Sequence, residues 1–178
     1  MSRRVFVAGV GMIPFVKPGA SDPYPEMAAK AGRLPLADAC IGYEAVQQAY
    51  AGYVYGDSTS GQRAVYGLGM TGIPVFNVNN NCSTGSTAPF LARQAIAGGA
   101  ADCVLAIGFE QMNPGALGVV FQDRPSPFED FDAQAAELVG MPELPLALRY
   151  FGGAGLAHMK KHGTPLEAFA AIRAKASR

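Results

Sequence analysis

A strand–helix–strand repeat in the middle of the chain restricts the fold more than any other feature. Two short apolar runs, Val75–Val78 and Val104–Ile107, lie on either side of a helical segment, Ser86–Gly98, which a second glycine follows. Parallel strands need a crossover connection of this kind, usually an α-helix, whereas a tight hairpin joins antiparallel strands. The pattern therefore predicts an α/β fold with a mixed, mostly parallel sheet flanked by helices.

Two more strands and two more helical segments are predicted before this repeat. The strands are Val5–Val10 and Ala51–Tyr55, and the helical segments are Glu26–Gln48 and Gln62–Met70. Proline lacks an amide hydrogen and clashes with the preceding helical turn, so Pro35 is expected to end or kink the first helical segment just before it. We predict that residues 1–118 form one βαβαβ unit.

The last third of the chain has a different character. Residues 122–145 are rich in proline and carry few strand signals, which indicates a loop or cap region outside the sheet. Leu166, Phe169 and Ile172 recur at helical spacing and predict a final helix within Pro165–Arg178. We therefore predict a second region, over residues 119–178.

The composition excludes several classes of partner. The chain has 178 residues, and its 14 basic and 14 acidic side chains give a formal net charge of +0. This balance argues against binding to nucleic acid through a basic face, and no apolar stretch approaches the roughly 18 residues of a membrane span. Three cysteines without paired spacing favour a reducing compartment. We expect a soluble cytoplasmic protein, or a peroxisomal one if the source is eukaryotic.

Cys82 lies between a predicted strand and a predicted helix, in the sequence NNNCSTGS. A thiol at a helix N-terminus faces unpaired amides and the positive end of the helix dipole, both of which favour the thiolate. The same placement exposes the nucleophile in other strand–turn–helix elbows. Free cysteine is otherwise commonly buried, which is the role expected for Cys40 and Cys103. On these grounds alone, the two roles are equally open for Cys82.

The position of Pro89 within the helix after Cys82 affects how the helix dipole acts on the thiol. If the helix begins near Ser86, Pro89 lies in the first turn, where an amide has no helical partner in any case. If the helix begins at Ser83, Pro89 is interior, which costs about 3 kcal/mol or forces a kink. The second geometry would shift the helix dipole relative to the sulfur.

Three stretches together resemble the amino-terminal half of a thiolase: NNNCSTGS, the preceding GYVYGDSTSGQRAVYGLGMTGIPVFNV, and the following GGAADCVLAIGFEQM. The resemblance is to the sterol carrier protein x type of 3-ketoacyl-CoA thiolases and to their bacterial lipid-transfer-protein relatives. It implies a thiolase-like fold in which Cys82 is the catalytic nucleophile and forms a thioester with the acyl group. It also implies that Gly108–Glu110 and the turn after Cys82 line the floor of the site. Coenzyme A would be a co-substrate, with no cofactor permanently bound.

The histidine and second-cysteine motifs of the family's second half do not occur in this sequence. The resemblance therefore implies an amino-terminal half that is inactive as a thiolase by itself and exposes an apolar face. The expected partners are an acyl-CoA substrate, a second copy of the chain in a homo-oligomer such as a dimer or a complementary thiolase half, and an acyl-CoA-binding protein.

Two alternative functions stay open at this stage. Some lipid-transfer-protein relatives of thiolases catalyse retro-aldol cleavage of steroid side-chain CoA thioesters together with a small partner protein. The chain could also be a non-catalytic assembly module. Cys82 favours the thiolase, because a retro-aldol reaction needs a base and not an acyl acceptor.

Other polar residues have less specific settings. The resemblance places Asp57, Gln62 and Arg63 in a loop near the partner subunit and the active site, although a solvated loop is an equal alternative. Glu110 follows a buried strand and is either a hydrogen-bonded structural anchor or a group close to Cys82.

His158 and His162 lie one helical turn apart, a spacing compatible with one metal ion. Two lysines between them make the stretch cationic, and no carboxylate accompanies the pair. We therefore expect solvated helix residues and no metal.

Overall fold

The computed structural model of the chain describes residues 3–115, 118, 120–140 and 143–178. The chain forms two compact units, Met1–Leu117 and Gly118–Arg178. Residue 119, the first of the predicted cap region, lies outside the described residues. The first unit contains the sheet, and the second is helical.

Three parallel strands form the sheet within the described residues. They are β1 (Gln48–Gly52), β2 (Val75–Val78) and β3 (Val104–Gly108), arranged in the order β2–β1–β3. The predicted α/β fold with a parallel sheet is confirmed. The bounds of β2 are those predicted, β3 is one residue longer, and β1 begins three residues before the predicted Ala51.

Helices cover both faces of this sheet. They are α1 (Tyr24–Asp38) and α2 (Ser60–Val65) on one face, α3 (Thr84–Ala97) on the other, with a 3₁₀ turn at Tyr43–Ala45. Because alternate strand residues share a face, one side of the sheet supplies small and branched side chains to the core. The core is formed by Ala28, Tyr43, Val46, Ala49, Ala51, Ala64, Val65, Leu105 and Ile107.

The predicted strand Val5–Val10 is wrong, because no strand occurs over residues 3–17 of the described chain. The segment instead lies along the end of α1, where the Val10 amide donates a hydrogen bond to Asp38 at 2.9 Å. The backbone at Gly9 approaches the Pro35 carbonyl too closely for a side chain. Branched residues favour extended backbone, but a strand also needs a pairing partner. Contact with the helix fixes this segment instead.

The helix α1 continues through Pro35 to Asp38, so of the predicted end or kink near Arg33–Leu34, the end is wrong. The carbonyl of Pro35 still accepts a bond from the Ala39 amide at 3.0 Å. Earlier turns of α1 bury Met27, Ala28, Ala29 and Gly32. Burial of this face stabilises the helix against the loss of one internal hydrogen bond.

The second unit consists of helices α4 (Glu129–Val139), α5 (Leu146–His162) and α6 (Leu166–Ala176). The final helix is confirmed, whereas α4 lies in the region predicted as a loop or cap. The Phe131 ring meets the Tyr150 ring edge-on at 4.9 Å, and the Tyr150 hydroxyl donates a hydrogen bond to Asp132. Among the described residues, no helix is both long enough and apolar enough to cross a membrane.

Cys40 is exposed at the end of α1, so its predicted burial is wrong. Its φ of 53° is left-handed, and its amide bonds the Ala37 carbonyl at 3.1 Å. The next amide, of Ile41, bonds the Leu36 carbonyl at 3.0 Å. These two bonds form a Schellman motif, whose left-handed position is usually occupied by glycine. The position of Cys40 is therefore fixed by the hydrogen bonds of this turn and not by burial among apolar side chains. Cys103, by contrast, is half-buried against the core.

We expect Cys40→Gly to raise the free energy of unfolding by about 0.5–1 kcal/mol, since glycine adopts the left-handed conformation without a clash at Cβ. Thermal unfolding followed by circular dichroism measures the change, as a rise of about 2 °C in Tm. Cys40→Ala is the matched control, because it removes the thiol but keeps Cβ. A glycine variant no more stable than the alanine variant would contradict the expectation.

Candidate active site

Cys82 lies in a tight turn between the end of β2 and the start of α3. Its side chain is exposed, and Ser83 is the N-cap residue of the helix. Asn81, immediately before it, has a left-handed φ of 48°. Asparagine tolerates this conformation better than most residues. The turn therefore presents the thiol to solvent at the positive end of α3.

Thr84 holds this turn together through its side chain. Its hydroxyl accepts a hydrogen bond from the Asn80 amide at 2.8 Å and donates one to the Asn81 carbonyl at 2.6 Å. The residue is 5% exposed. The two backbone groups that it binds are those of the residues just before Cys82.

Most amides at the start of α3 already have partners, contrary to the predicted set of unpaired donors. The Thr84 amide donates to the Asn81 carbonyl at 3.1 Å, and the Ser86 and Thr87 amides donate to the Ser83 carbonyl at 3.1 and 2.9 Å. The carbonyls of the turn thus take up the donors that a helix start leaves free. The positive field of the helix end therefore still acts on the Cys82 thiol, but fewer backbone amides are free to donate a hydrogen bond to it than the sequence indicated.

Pro89 lies inside α3, because the helix begins at Thr84 and not near Ser86. It is the sixth helical residue, counted from Thr84, and cannot donate to the Gly85 carbonyl one turn earlier. The helix nevertheless continues to Ala97 and buries Ala88 and Ala92. Of the two alternatives left open by the sequence, the structure shows the interior one.

Glycines allow the start of α3 to approach the ends of two strands. A Cβ on Gly52, at the end of β1, would lie 2.9 Å from the Thr84 methyl carbon and 3.2 Å from its carbonyl oxygen. A Cβ on Gly108, at the end of β3, would lie 4.0 Å from the Gly85 Cα. The structure therefore brings Gly108 to the turn after Cys82, as the predicted floor requires.

Glu110 anchors the loop after β1. Its two carboxylate oxygens accept hydrogen bonds from the backbone amides of Val54 at 2.9 Å and Tyr55 at 3.1 Å. The carboxylate is thus committed to backbone donors, and of the two roles left open, the structure supports the anchor. This bidentate use of a carboxylate belongs to the stronger class of protein hydrogen bonds.

The residues on either side of Glu110, in the sequence GFEQM, also make structural contacts. The Phe109 ring lies between the rings of Tyr24 and Tyr53, with centroid distances of 5.2 and 5.1 Å. The Gln111 side chain accepts a hydrogen bond from the Tyr24 amide at 2.9 Å. The segment after β3 therefore fixes both the loop after β1 and the start of α1.

Of the three polar residues that the sequence placed in one loop, Asp57 lies in the loop after β1, whereas Gln62 and Arg63 lie on α2. The Gln62 side-chain carbonyl accepts a hydrogen bond from the Asn77 side-chain Nδ2 at 2.9 Å, which connects α2 to β2. Asp57 contributes its backbone carbonyl to the Tyr53 hydroxyl at 3.0 Å. Arg63 lines a groove with α1 residues, including Lys30 and Arg33. None of the hydrogen bonds found in the described residues joins these three side chains to Cys82.

His158 and His162 lie on α5, in the second unit, with ring centroids 4.7 Å apart. The His158 Nε2 atom is 3.0 Å from the Thr164 hydroxyl oxygen, and its ring meets Phe169 edge-on at 6.2 Å. Within the described part of the chain, no three histidine, cysteine or acidic side chains are grouped as metal ligands. Both histidines are exposed, as expected for solvated helix residues, and the ring of His158 contacts α6.

Sequence reasoning did not identify Thr84 as part of the site. A threonine in the first turn of a helix commonly binds nearby backbone groups, and this was the available signal. Its partners depend on the left-handed turn at Asn81, which the sequence does not specify.

Comparison with known proteins places this geometry in a family. Residues 5–123 match the family model described as "Thiolase, N-terminal domain". Human sterol carrier protein 2 is 58% identical over 173 residues, which cover 96% of this chain and 32% of that protein. The Caenorhabditis elegans non-specific lipid-transfer protein-like 2 is 40% identical over 177 residues, 97% of this chain and 43% of that protein.

A bacterial protein shows the same relationship at lower identity. The benzoylsuccinyl-CoA thiolase subunit BbsB of Thauera aromatica is 34% identical over 113 residues, 62% of this chain and 29% of that protein. The chain spans about a third of the length of the sterol carrier protein 2 relatives. The family match extends over the sheet, α3 and the Cys82 turn. The chain belongs to the thiolase family, and its first unit is a thiolase N-terminal domain.

Proposed function

We propose that Cys82 is the acyl acceptor of a thiolase-type acyltransferase that acts on 3-ketoacyl-CoA, with coenzyme A as co-substrate. The observation that carries this proposal is the exposed thiol between β2 and α3, at the positive end of the helix. The similarity to a protein named as a CoA thiolase subunit supports the substrate class. Exposure is necessary here, because a buried thiol could not reach the carbonyl carbon of a substrate.

The proposed reaction has two steps that balance. The Cys82 sulfur attacks the 3-keto carbon, the bond between C2 and C3 breaks, and the acyl group remains on sulfur as a thioester. The C2 carbon takes up a proton, equivalent to the one lost by the thiol, and leaves as a shorter acyl-CoA. Coenzyme A then attacks the thioester through its sulfur, the acyl group leaves as a second acyl-CoA, and the proton given up by the coenzyme A thiol restores the Cys82 thiol. We assign no proton transfer to the two histidines of this chain, which lie in the second unit.

We further propose that the working enzyme is an assembly, either of copies of this chain or with a complementary thiolase part. Large apolar side chains on the surface of the first unit support this, among them Phe6, Val7 and Phe15, which are 73%, 82% and 92% exposed. An exposed apolar surface of this kind is typical of interaction sites. An acyl-CoA-binding partner protein and a cytoplasmic or peroxisomal location stay predictions from the sequence.

The chain contains its own control for the reactivity of Cys82. Cys40 is also exposed, but it lies at the C-terminal end of α1, where the helix dipole disfavours an anion. We expect iodoacetamide at neutral pH to alkylate Cys82 about threefold faster than Cys40, or more. Trypsin separates the thiols, since residues 34–63 carry Cys40 and residues 64–93 carry Cys82. Quantification of the two peptides by mass spectrometry gives the ratio, and a ratio of one or below would contradict the proposal.

A further inference from the structure

Beyond the nucleophile itself, the contacts around the turn single out one side chain. Thr84 is buried beneath the exposed turn, and its hydroxyl bridges two backbone groups, the Asn80 amide and the Asn81 carbonyl. The second of these belongs to a residue in the left-handed conformation, which costs free energy for any residue except glycine. A conformation of this kind persists only where surrounding contacts hold it.

The rest of Thr84 is fixed by the sheet. A side chain at Gly52 would collide with the Thr84 methyl group, so the two residues are in close contact. The hydroxyl therefore has little freedom to turn away from its partners, and the threonine connects the end of β1 with the turn. The orientation of the turn relative to the sheet depends on this connection.

We propose that Thr84 is a positioning residue for Cys82, which holds the turn so that the thiol stays at the end of α3. This inference rests on the proposed function of Cys82. Without the hydroxyl, the Asn80 amide loses its acceptor and the left-handed residue loses one of its two donors, leaving only the Thr84 amide. The thiol would then leave the helix end for part of the time, and its reactivity would fall.

Three variants of the full chain separate this role from general stability. Thr84→Val has nearly the same shape but no hydroxyl, whereas Thr84→Ser keeps the hydroxyl and loses the methyl contact. Ser86→Ala is the matched control at the same helix end. The Ser86 hydroxyl is exposed and donates to the Ser83 carbonyl at 2.9 Å, and that carbonyl keeps two amide donors when the hydroxyl is removed.

The measurement is the rate of iodoacetamide alkylation of each cysteine, resolved on its own tryptic peptide. We expect Thr84→Val to slow the labelling of Cys82 about fivefold or more, while Thr84→Ser and Ser86→Ala stay within about twofold of the unsubstituted chain. Half-buried Cys103 reports unfolding, because it would label faster in an unfolded chain. A fall for Cys82 with Cys103 still protected is a local effect.

The possible failures are distinguishable. If Cys82 of the unsubstituted chain is no faster than Cys40, the proposed function fails. If Cys82 is labelled fast in the unsubstituted chain and equally fast in folded Thr84→Val, only the positioning role fails. The positioning role also fails if Cys82 is labelled as slowly in Thr84→Ser as in Thr84→Val. If Thr84→Val unfolds, the labelling rates of Cys82 with and without Thr84→Val are compared in the more stable Cys40→Gly background at lower temperature. N-acetylcysteine then replaces Cys40 as the reference thiol. A Cys82 no faster than that reference still contradicts the proposed function, and an equally fast Cys82 in the Thr84→Val variant still contradicts the positioning role.

Discussion

Replacing Glu110 with alanine is expected to lower the free energy of unfolding by about 3 kcal/mol. The carboxylate accepts two backbone hydrogen bonds, from Val54 and Tyr55, and bonds to a charged partner contribute about 1.5–3 kcal/mol each. Alanine would leave both amides without an acceptor in a part-buried loop. Partial access of water to that loop keeps the expected loss below the sum of the two bonds.

Urea unfolding followed by circular dichroism measures this change. Glu110→Gln keeps the size and one acceptor oxygen, so we expect roughly half the loss. Glu44→Ala is the control for removal of a glutamate, since Glu44 is exposed in the 3₁₀ turn, and its effect should stay within about 0.5 kcal/mol. A Glu110→Ala variant within that same range would show that the loop does not depend on the carboxylate.

The elements of the fold that sequence reasoning predicted well are those in which local and tertiary preferences agree. β2 and β3 are short apolar runs; the core buries Leu105 and Ile107 of β3, and Val75 of β2 packs against it. The helix α6 follows from its own apolar spacing. In these elements, each residue favours the state that the fold also requires.

The errors arise where a distant contact decides the outcome. The segment Val5–Val10 has the composition of a strand, yet its backbone lies against α1 and pairs with no strand of the described residues. Pro35 is expected from the sequence to end or kink α1, but the helix continues past it, because burial of the helix face outweighs one lost hydrogen bond. Neither contact leaves a signal in the local sequence, because the partners are distant in the chain. Gly9 and Val10 meet residues of α1 about 25–30 positions away, and Gly32 of α1 lies against Leu68 and Ile107.

The candidate site shows the same division. The placement of Cys82 between a strand and a helix could be read from the sequence, and the structure places it there. The bonds of Thr84 and Glu110 could not, because each joins backbone groups whose position depends on turns with special φ values or on a loop more than 50 residues away. The sequence therefore indicated the position of the proposed nucleophile but not the groups that hold its turn and the neighbouring loop in place.

The largest expected effect concerns acylation of Cys82. In the proposed reaction the acyl group resides on this sulfur, so Cys82→Ala should remove covalent labelling by 3-ketoacyl-CoA altogether. Cys40→Ala should leave the labelling intact, because the Cys40 thiol lies at the other kind of helix end, on the C-terminal side of α1. The two variants remove the same chemical group from two exposed positions, which makes the comparison specific.

The central claim is tested most directly by trapping the acyl-enzyme. The working assembly proposed above, which contains this chain, is incubated with acetoacetyl-CoA, quenched in acid, digested with trypsin and examined by mass spectrometry. We predict an added acetyl group on the peptide of residues 64–93, which carries Cys82, and its removal when coenzyme A is supplied before the quench. An unmodified peptide, under conditions in which the substrate is consumed by this protein, would contradict a thioester mechanism and favour a lyase that uses no acyl acceptor. Acetylation of the peptides carrying Cys40 or Cys103 to the same extent would equally contradict a specific role for Cys82.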